Sequence, residues 1–276
     1  MVHAPVLAAG PETRLAAVWS RTPESAERLA VRHGVPSVDR YETLLDCCDA
    51  VAFAVPPDVQ PDLAVAAARM GKALLLEKPL ADDVAGARRV AEAVAEAGVG
   101  SVIVLSYRFA PAVTQFIDAA KAAAPIGARA CFLSGAFLGG PFANGWRLTR
   151  GALLDVGPHV IDLVDRALGP VTNVRAHGDP HGWIGLLLEH DGGGRSEISL
   201  SCQVAIEPSR TEIEVFGPAG SLFLDARASV GPDAFAVMRR EFAETARAGG
   251  GHPADAARGL HLQQVISAAE ADLAAR

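Results

Sequence analysis

"DAVAFAVPPDVQPDLAVAAARMGKALLLEKP", residues 49–79, holds the pattern that decides the fold. It opens on an apolar run with no polar alternation, stopped by Pro56 and Pro57. An amphipathic stretch follows as far as Gly71. A second apolar run, Ala73–Leu76, then ends abruptly on Glu77, Lys78 and Pro79. Continuous apolar strands separated by helices belong to a parallel sheet covered on both faces, because an exposed face would show alternation. Working outward, "RLAAVWS" (14–20) predicts a further strand. "RTPESAERLAVRHG" (21–34) predicts a helix with Thr22 as N-cap, Pro23 at its first position and Gly34 as terminator. "DDVAGARRVAEAVAEAG" (82–98) reads as another helix, and "VGSVIVLSYR" (99–108) as a fourth strand carrying Tyr107 and Arg108 at its end. Right-handed crossovers make residues 1–108 a doubly wound, Rossmann-like α/β domain.

The texture changes after Phe109. "RSEISLSCQV" (195–204) alternates strictly, with Ile198, Leu200, Cys202 and Val204 on one side and Ser199, Ser201 and Gln203 on the other. "TEIEVF" (211–216) does the same, with turn signals at "HDGGG" and "GPAG". This predicts a mostly antiparallel open sheet with one buried face, in an α+β domain over residues 109–276. Its closing helix is expected to pack back on the first domain.

Composition removes several classes of function. The 276 residues carry 25 basic and 32 acidic side chains, for a net charge of −7, and the basic ones are scattered. That argues against nucleic acid or an anionic membrane as partner. No apolar run has membrane-spanning length, and "MVHAPVLAAG" lacks the basic start of a secretion signal, so the expectation is a cytoplasmic protein. Cys47, Cys48, Cys131 and Cys202 have neither a disulfide pattern nor zinc-ligand spacing, so no metal is expected.

Ligands of open parallel sheets bind beyond the carboxyl ends of the strands. Three features lie at such ends: Ser20-Arg21, Pro56-Pro57 and Glu77-Lys78-Pro79. Pro79 restricts the backbone of Lys78, and a lysine partly shielded from water can exchange a proton near neutrality. The plain alternative is a solvated lysine at a strand end. In "GALLDVGPHVIDLVDRALG" (151–169), Asp155, His159 and Asp162 share one helix face at spacings i, i+4 and i+7. A histidine between carboxylates suits a general base, though a buried structural histidine reads the same way. Because Pro158 is unfavourable inside a helix, the regular helix is expected to start near Gly157, with Asp155 on its leading edge. Tyr107 and Arg108 are candidates to line the crevice; Trp146 and Arg147 are candidate substrate contacts, with a packing tryptophan an equal reading of Trp146. His3, His33, His177, His181, His190, His252 and His261 show no partner pattern and read as surface or structural.

"EKP" after an apolar strand, "SYRFAP" about thirty residues on and "WRLTRGALLDVGPHVIDLV" beyond it resemble the Gfo/Idh/MocA family of NAD(P)-dependent oxidoreductases. "EIEVFGPAGSLFLD" and "HPADAARGLHLQQVISAAE" extend the likeness over nearly the whole chain. The resemblance implies hydride transfer between a nicotinamide and a carbinol carbon of a sugar, polyol or cyclitol. It implies that Lys78 hydrogen-bonds the reacting oxygen, that His159 exchanges the hydroxyl proton and that Asp155 assists. Ser20, Arg21, Pro56, Pro57 and Glu77 would face the cofactor, with Ser-Arg favouring NADP over NAD. Arg108, Trp146, Arg147 and Asp162 would face the substrate. The small or polar residues Ser199, Ser201, Gln203, Glu212 and Glu214 resemble the family's dimer surface, so a homodimer or homotetramer is expected. Two other functions stay open: a non-catalytic sugar or nucleotide sensor, and an NAD-dependent glycosidase-type enzyme.

One departure stands out. A dinucleotide domain opens with a strand, G-x-G-x-x-G and a helix, and the chain has no such motif. It resembles the family from partway into that first helix. Three explanations are expected: a true start upstream of Met1, a genuinely truncated member, or strand addition from another chain.

Overall fold

The structure, a computed structural model, describes residues 3–275. The chain resolves into two compact units. One takes the chain up to Val104 together with Phe235–Leu260; the other takes Leu105–Ala234 and the chain from His261 onward.

The first unit runs α1 (His3–Ala8), α2 (Pro23–His33), α3 (Tyr41–Asp46), β1 (Ala50–Ala52), α4 (Gln60–Arg69), β2 (Ala73–Leu76), α5 (Val84–Ala97) and β3 (Ser101–Ile103). The strands form a parallel sheet in the order β1-β2-β3, with Val51 beside Leu74 and Leu75 beside Val102. Leu74, Leu75 and Leu76 have no exposed surface, as their unbroken apolar run requires. Punctuation in the sequence sets the helix ends. Pro23 opens α2 and Gly34 closes it in the left-handed conformation at φ 64°, where a side chain would be strained. Asp83 caps α5 by accepting from the Gly86 N–H at 2.7 Å. Beyond β3 the outer edge is covered: Ile103 N–H donates to Ala254 O at 2.7 Å, and Ala256 N–H donates to Ser101 Oγ at 3.0 Å.

Two expected strands differ. Residues 14–20 form no ladder; their only pairing is an isolated parallel bridge between Val18 and Ser37. An apolar extended segment becomes a strand only beside a partner, and one flank of this segment has none among the described residues. The fourth strand also ends early. Val104 N–H makes the last bond, to Leu76 O at 2.9 Å, because β2 ends there. The chain then turns through a 3₁₀ segment, Ser106–Phe109, so Tyr107 and Arg108 sit on a turn rather than a strand.

The second unit adds α6 (Pro111–Ala122), β4 (Gly127–Leu133), α7 (Gly145–Leu168), β5 (Val171–Gly178), β6 (Ile184–His190), β7 (Arg195–Ser201), β8 (Arg210–Gly217), β9 (Gly220–Asp225) and α8 (Ala226–Ser229). Helices α9 (Pro232–Ala248) and α10 (Ala256–Ala274) close the chain. Its six strands lie in the order β5-β6-β7-β4-β8-β9, and only the β4–β7 pair is parallel. Ile198, Leu200, Cys202, Ile213 and Val215 form the buried face that the alternation predicts, and α7 lies on it with Gly157 facing Leu200. Ser201 departs from its expected outward place. It is buried and donates to Gly182 O at 2.7 Å, because a turn folds over the strand end.

Helix α7 also corrects its expected start. Two helical stretches meet at Gly151 (φ 75°, ψ −173°), and the regular helix runs from Ala152, not from Gly157. A Cβ on Gly151 would stand 2.2 Å from Pro180 O, so only glycine fits the junction. Pro158 lies well inside the helix, where a lost backbone bond costs roughly 3 kcal/mol. Full burial of Leu153, Leu154, Ile161 and Leu163 offsets that, at about 1.5–3 kcal/mol each. Asp155 therefore sits within the helix. Among the described residues, no helix is long and apolar enough to cross a membrane.

Candidate active-site residues

In the first unit, the end of β2 is built around a side chain that sequence reasoning missed. Gln60, at the first position of α4, is fully buried. Its Oε1 accepts from Glu77 N–H at 2.8 Å, while its Nε2 donates to Glu77 O and Leu80 O, both at 2.9 Å. One amide thus brackets Lys78 and Pro79 on both sides. A buried amide must satisfy both its donor and its acceptor, so the turn is held in one geometry. Glu77 adds a second tie: Oε1 meets His3 Nε2 at 2.6 Å, and Oε2 accepts from Lys78 N–H at 3.2 Å. Burial pushes the Glu77 carboxyl up. The His3 hydrogen bond and charge, with Lys78 nearby, outweigh it and leave the group below the usual glutamate range. Glu77 is therefore engaged with protein groups around Lys78, and Lys78 itself is half-buried. His3 was an expected structural residue; its partner is legible only in three dimensions.

Ser20, Arg21 and Pro56 line a cavity of about 730 Å³ in the first unit, between residues 13–21 and 49–56. Pro57 is buried just before α4. Ser20 Oγ accepts from Thr22 N–H at 3.3 Å, while Arg21 is exposed. They lie at strand ends, where the ribose of a dinucleotide is expected in an open parallel sheet. Among the described residues lining the cavity none is glycine, so no glycine turn of the kind that holds a pyrophosphate lies there.

In the second unit, Asp155, His159 and Asp162 do share one face of α7, and two arginines converge on its carboxylates. Arg108 grips Asp162 with two parallel bonds, Nη2 to Oδ1 at 2.7 Å and Nε to Oδ2 at 3.1 Å. Their side chains are 11% and 3% exposed, which makes this a buried ion pair. Arg147 Nε lies 3.4 Å from Asp155 Oδ1. The Arg147 guanidinium also stands over the rings of Trp146, at 4.7 Å, and Phe142, at 5.5 Å. His159 meets the Tyr107 ring edge-on, with centroids 5.3 Å apart. Tyr107 Oη in turn pairs with Thr211 Oγ1 at 2.9 Å, and burial raises its phenol pKa. The face thus offers an imidazole braced by an aromatic ring, beside carboxylates held by cations. Such a set can exchange a proton with an alcohol.

Of the remaining histidines, His190 and His261 surround Asp165. His261 Nε2 lies 2.7 Å from Asp165 Oδ2, and buried His190 bonds Gly169 O and Ser196 Oγ, both at 2.7 Å. These contacts tie loop, strand and helix together. Among the described residues, no cluster of three or more His, Cys, Asp or Glu side chains could hold a metal ion.

Comparison with known proteins gives two adjoining matches. Residues 1–105 match a family described as "Oxidoreductase family, NAD-binding Rossmann fold", and residues 111–223 match the "GFO/IDH/MocA C-terminal domain". The chain is 34% identical over 196 residues to dTDP-3,4-didehydro-2,6-dideoxy-alpha-D-glucose 3-reductase of Streptomyces violaceoruber, across 68% of this chain and 54% of that protein. It is 29% identical over 234 residues to scyllo-inositol 2-dehydrogenase (NAD(+)) of Bacillus subtilis, across 78% of this chain and 67% of that one. It thus spans about half to two thirds of these two relatives. UDP-N-acetylglucosamine 3-dehydrogenase of Acidithiobacillus ferrooxidans superposes with a TM-score of 0.87 at 19% identity, over 99% of this chain and 93% of that one. That last likeness concerns the fold.

Proposed function

This chain belongs to the Gfo/Idh/MocA oxidoreductase family, and on that footing we propose that it moves a hydride between a nicotinamide dinucleotide and a carbinol or carbonyl carbon of a sugar, polyol or cyclitol. Lys78 donates a hydrogen bond to the reacting oxygen and withdraws charge from the carbon. His159 takes the hydroxyl proton in oxidation and returns it in reduction. Asp155, paired with Arg147, holds the substrate or steadies the imidazolium. The exposed Arg21 beside Ser20 suits a ribose 2′-phosphate, which favours NADP. The two curated relatives are named for a sugar-nucleotide reductase and a cyclitol dehydrogenase, and both names support an alcohol or ketone carbon on a ring.

The observation that carries the reading is the immobilisation of Lys78: a fully buried glutamine and a glutamate fix the backbone on either side of it. A lysine of no consequence at a strand end needs no such frame. The experiment is turnover with a panel of polyols and sugar nucleotides under NADPH or NADH, comparing wild type with Lys78→Ala and His159→Ala. Loss of roughly 10²–10⁴-fold in each variant is expected for proton-handling groups. Wild-type rates in both variants would overturn the assignment.

A second reading, a non-catalytic sensor of the same fold, is favoured by one specific observation. Among the described residues lining the cavity of the first unit none is glycine, so the glycine turn that cradles a pyrophosphate is not found there. A rise in melting temperature with sugar or nucleotide, without any change in cofactor absorbance, would select it. For assembly, we propose a second copy of the chain on the open face of the six-stranded sheet, where Leu187 and Phe223 are 58% and 60% exposed among paired charges. Light scattering at micromolar concentration is expected to give twice or four times the chain mass.

A further inference from the structure

In the second unit, two consecutive residues of the 3₁₀ segment Ser106–Phe109 hold two places one turn apart on α7. Arg108 binds Asp162 through two parallel bonds. Tyr107 packs against His159, its ring plane inclined 79° to the imidazole with the centroids 5.3 Å apart. The phenol is itself held at its far end. Its Oη pairs with Thr211 Oγ1 at 2.9 Å, one hydroxyl donating to the other, and Thr211 has no exposed surface. Thr211 belongs to β8, an inner strand of the six-stranded sheet, where it lies opposite Phe132 of β4. Contacts thus lead from the interior of the sheet, through one phenol, to the imidazole. Burial raises the phenol pKa, so Tyr107 keeps its proton throughout the range in which a histidine titrates, and the hydroxyl pair persists across it. A phenylalanine would fill the same apolar space with no polar group to satisfy. A buried tyrosine needs a partner for its hydroxyl, and that partner gives the ring a fixed end.

We propose that Tyr107 is a positioning residue for His159, and that Thr211 is the anchor that makes it one. This rests on the reading of His159 as the group that exchanges the substrate's hydroxyl proton. Helix α7 fixes only where the His159 side chain leaves the backbone. The imidazole then turns about two bonds, and the outer of these is broad and weakly restrained by its own chemistry. A general base must bring one nitrogen within about 2.6–3.2 Å of the oxygen it serves. The plane of the ring therefore has to be set by a neighbour, and the near-perpendicular Tyr107 ring is the neighbour in contact. The Thr211 bond keeps that ring from tilting. Arg108 completes the arrangement: its buried pair with Asp162 holds the 3₁₀ turn against the same helix face, so Tyr107 cannot draw back without breaking it. The two hydroxyl side chains are 104 positions apart, and both serve one ring.

The test compares Tyr107→Phe, Thr211→Val, the double variant and Tyr107→Leu. Each is read by the NMR signals of the His159 ring, assigned by their loss in His159→Ala, and by kcat and KM separately, with a melting curve for each protein. Wild type is expected to give one sharp set of His159 signals, displaced by the ring current of Tyr107. In Tyr107→Phe and in Thr211→Val those signals should shift or broaden. Their kcat should fall on the order of tenfold, within the roughly 10²-fold that a 1 Å misplacement costs, with KM little changed. The double variant should be no worse than either single one, because the two hydroxyls act as a unit. Tyr107→Leu should bring the signals to those of an exposed histidine and lower kcat further, by up to about 10²-fold. Three outcomes would overturn the proposal: His159 signals and kcat unmoved in Tyr107→Phe, losses that add in the double variant, or a lower Tm with His159 signals and kcat unchanged. The phenylalanine and valine variants keep ring and volume, so the test stands even if the leucine variant does not fold. Wild-type turnover in His159→Ala would count against the proton-exchange reading, and the ring signals would still decide whether Tyr107 and Thr211 hold the imidazole.

Discussion

The two sheets of this protein solve the same problem with different completeness. The six-stranded sheet pairs every internal strand on both sides, and β4 is held by β7 and β8 over seven residues each. The three-stranded sheet covers one edge, at Ile103 and Ser101, and leaves the other, at Ala50 and Ala52, facing an apolar cavity. The first is tied by its own ladders, the second by individual side chains such as Gln60 at the strand ends. Local stability should follow that division, because backbone bonds open most easily where few neighbours protect them. In native-state hydrogen exchange, amides of β4, β7 and β8 are expected to outlast those of β1. The reverse order would break the comparison.

Substitutions sharpen the same contrast. The largest effect is expected in the second unit from Arg108→Ala, which takes the guanidinium away from the buried Asp162 carboxylate. Removing one partner of a buried pair costs about 3–5 kcal/mol, read as a lower urea midpoint. An unchanged midpoint would mean that the pair is wet. Next comes Gln60→Ala in the first unit, where three backbone groups at the Lys78 turn lose their partner. The expected loss is about 1–3 kcal/mol, with faster exchange at Glu77 N–H. Wild-type exchange there would remove Gln60 from its positioning role.

Acid separates the units further. The pKa of Glu77 is lower folded than unfolded. Its stabilisation is therefore fully present above the ordinary glutamate value and disappears as pH falls through the lowered folded value. Urea midpoints measured from pH 6 down to pH 3 should fall, and Glu77→Gln should flatten that part of the decline. A parallel decline in the variant would place the acid sensitivity elsewhere. The smallest effect is expected from Arg129→Ala on the open sheet face. Its bond to Glu197, at 3.2 Å, joins side chains 71% and 59% exposed, and such pairs contribute about 0–1 kcal/mol. A much larger loss would indicate that this face is covered in solution.

The patterns legible in the chain were those with a period. Unbroken apolar runs marked β1, β2 and β3, strict alternation marked β7 and β8, and the proline and glycine signals around α2 fell where its ends lie. Spacing alone put Asp155, His159 and Asp162 on one face of α7. The turn at Lys78 could be located, but not the amide that frames it, because nothing in "DVQPDL" says that Gln60 faces inward. Likewise Pro158 argued for a late helix start. The kink at Gly151 and the burial of α7 overrode that local preference.

Sequence by itself determined which stretches are strands of the parallel sheet (β1 to β3), which faces of β7 and β8 are apolar and where α2 begins and ends, since these depend on neighbours a few positions away. Tertiary structure decided which arginine meets which carboxylate, which histidine braces Glu77, and that residues 14–20 remain extended without a ladder. Those outcomes depend on partners tens of residues distant, whose contacts no local period encodes.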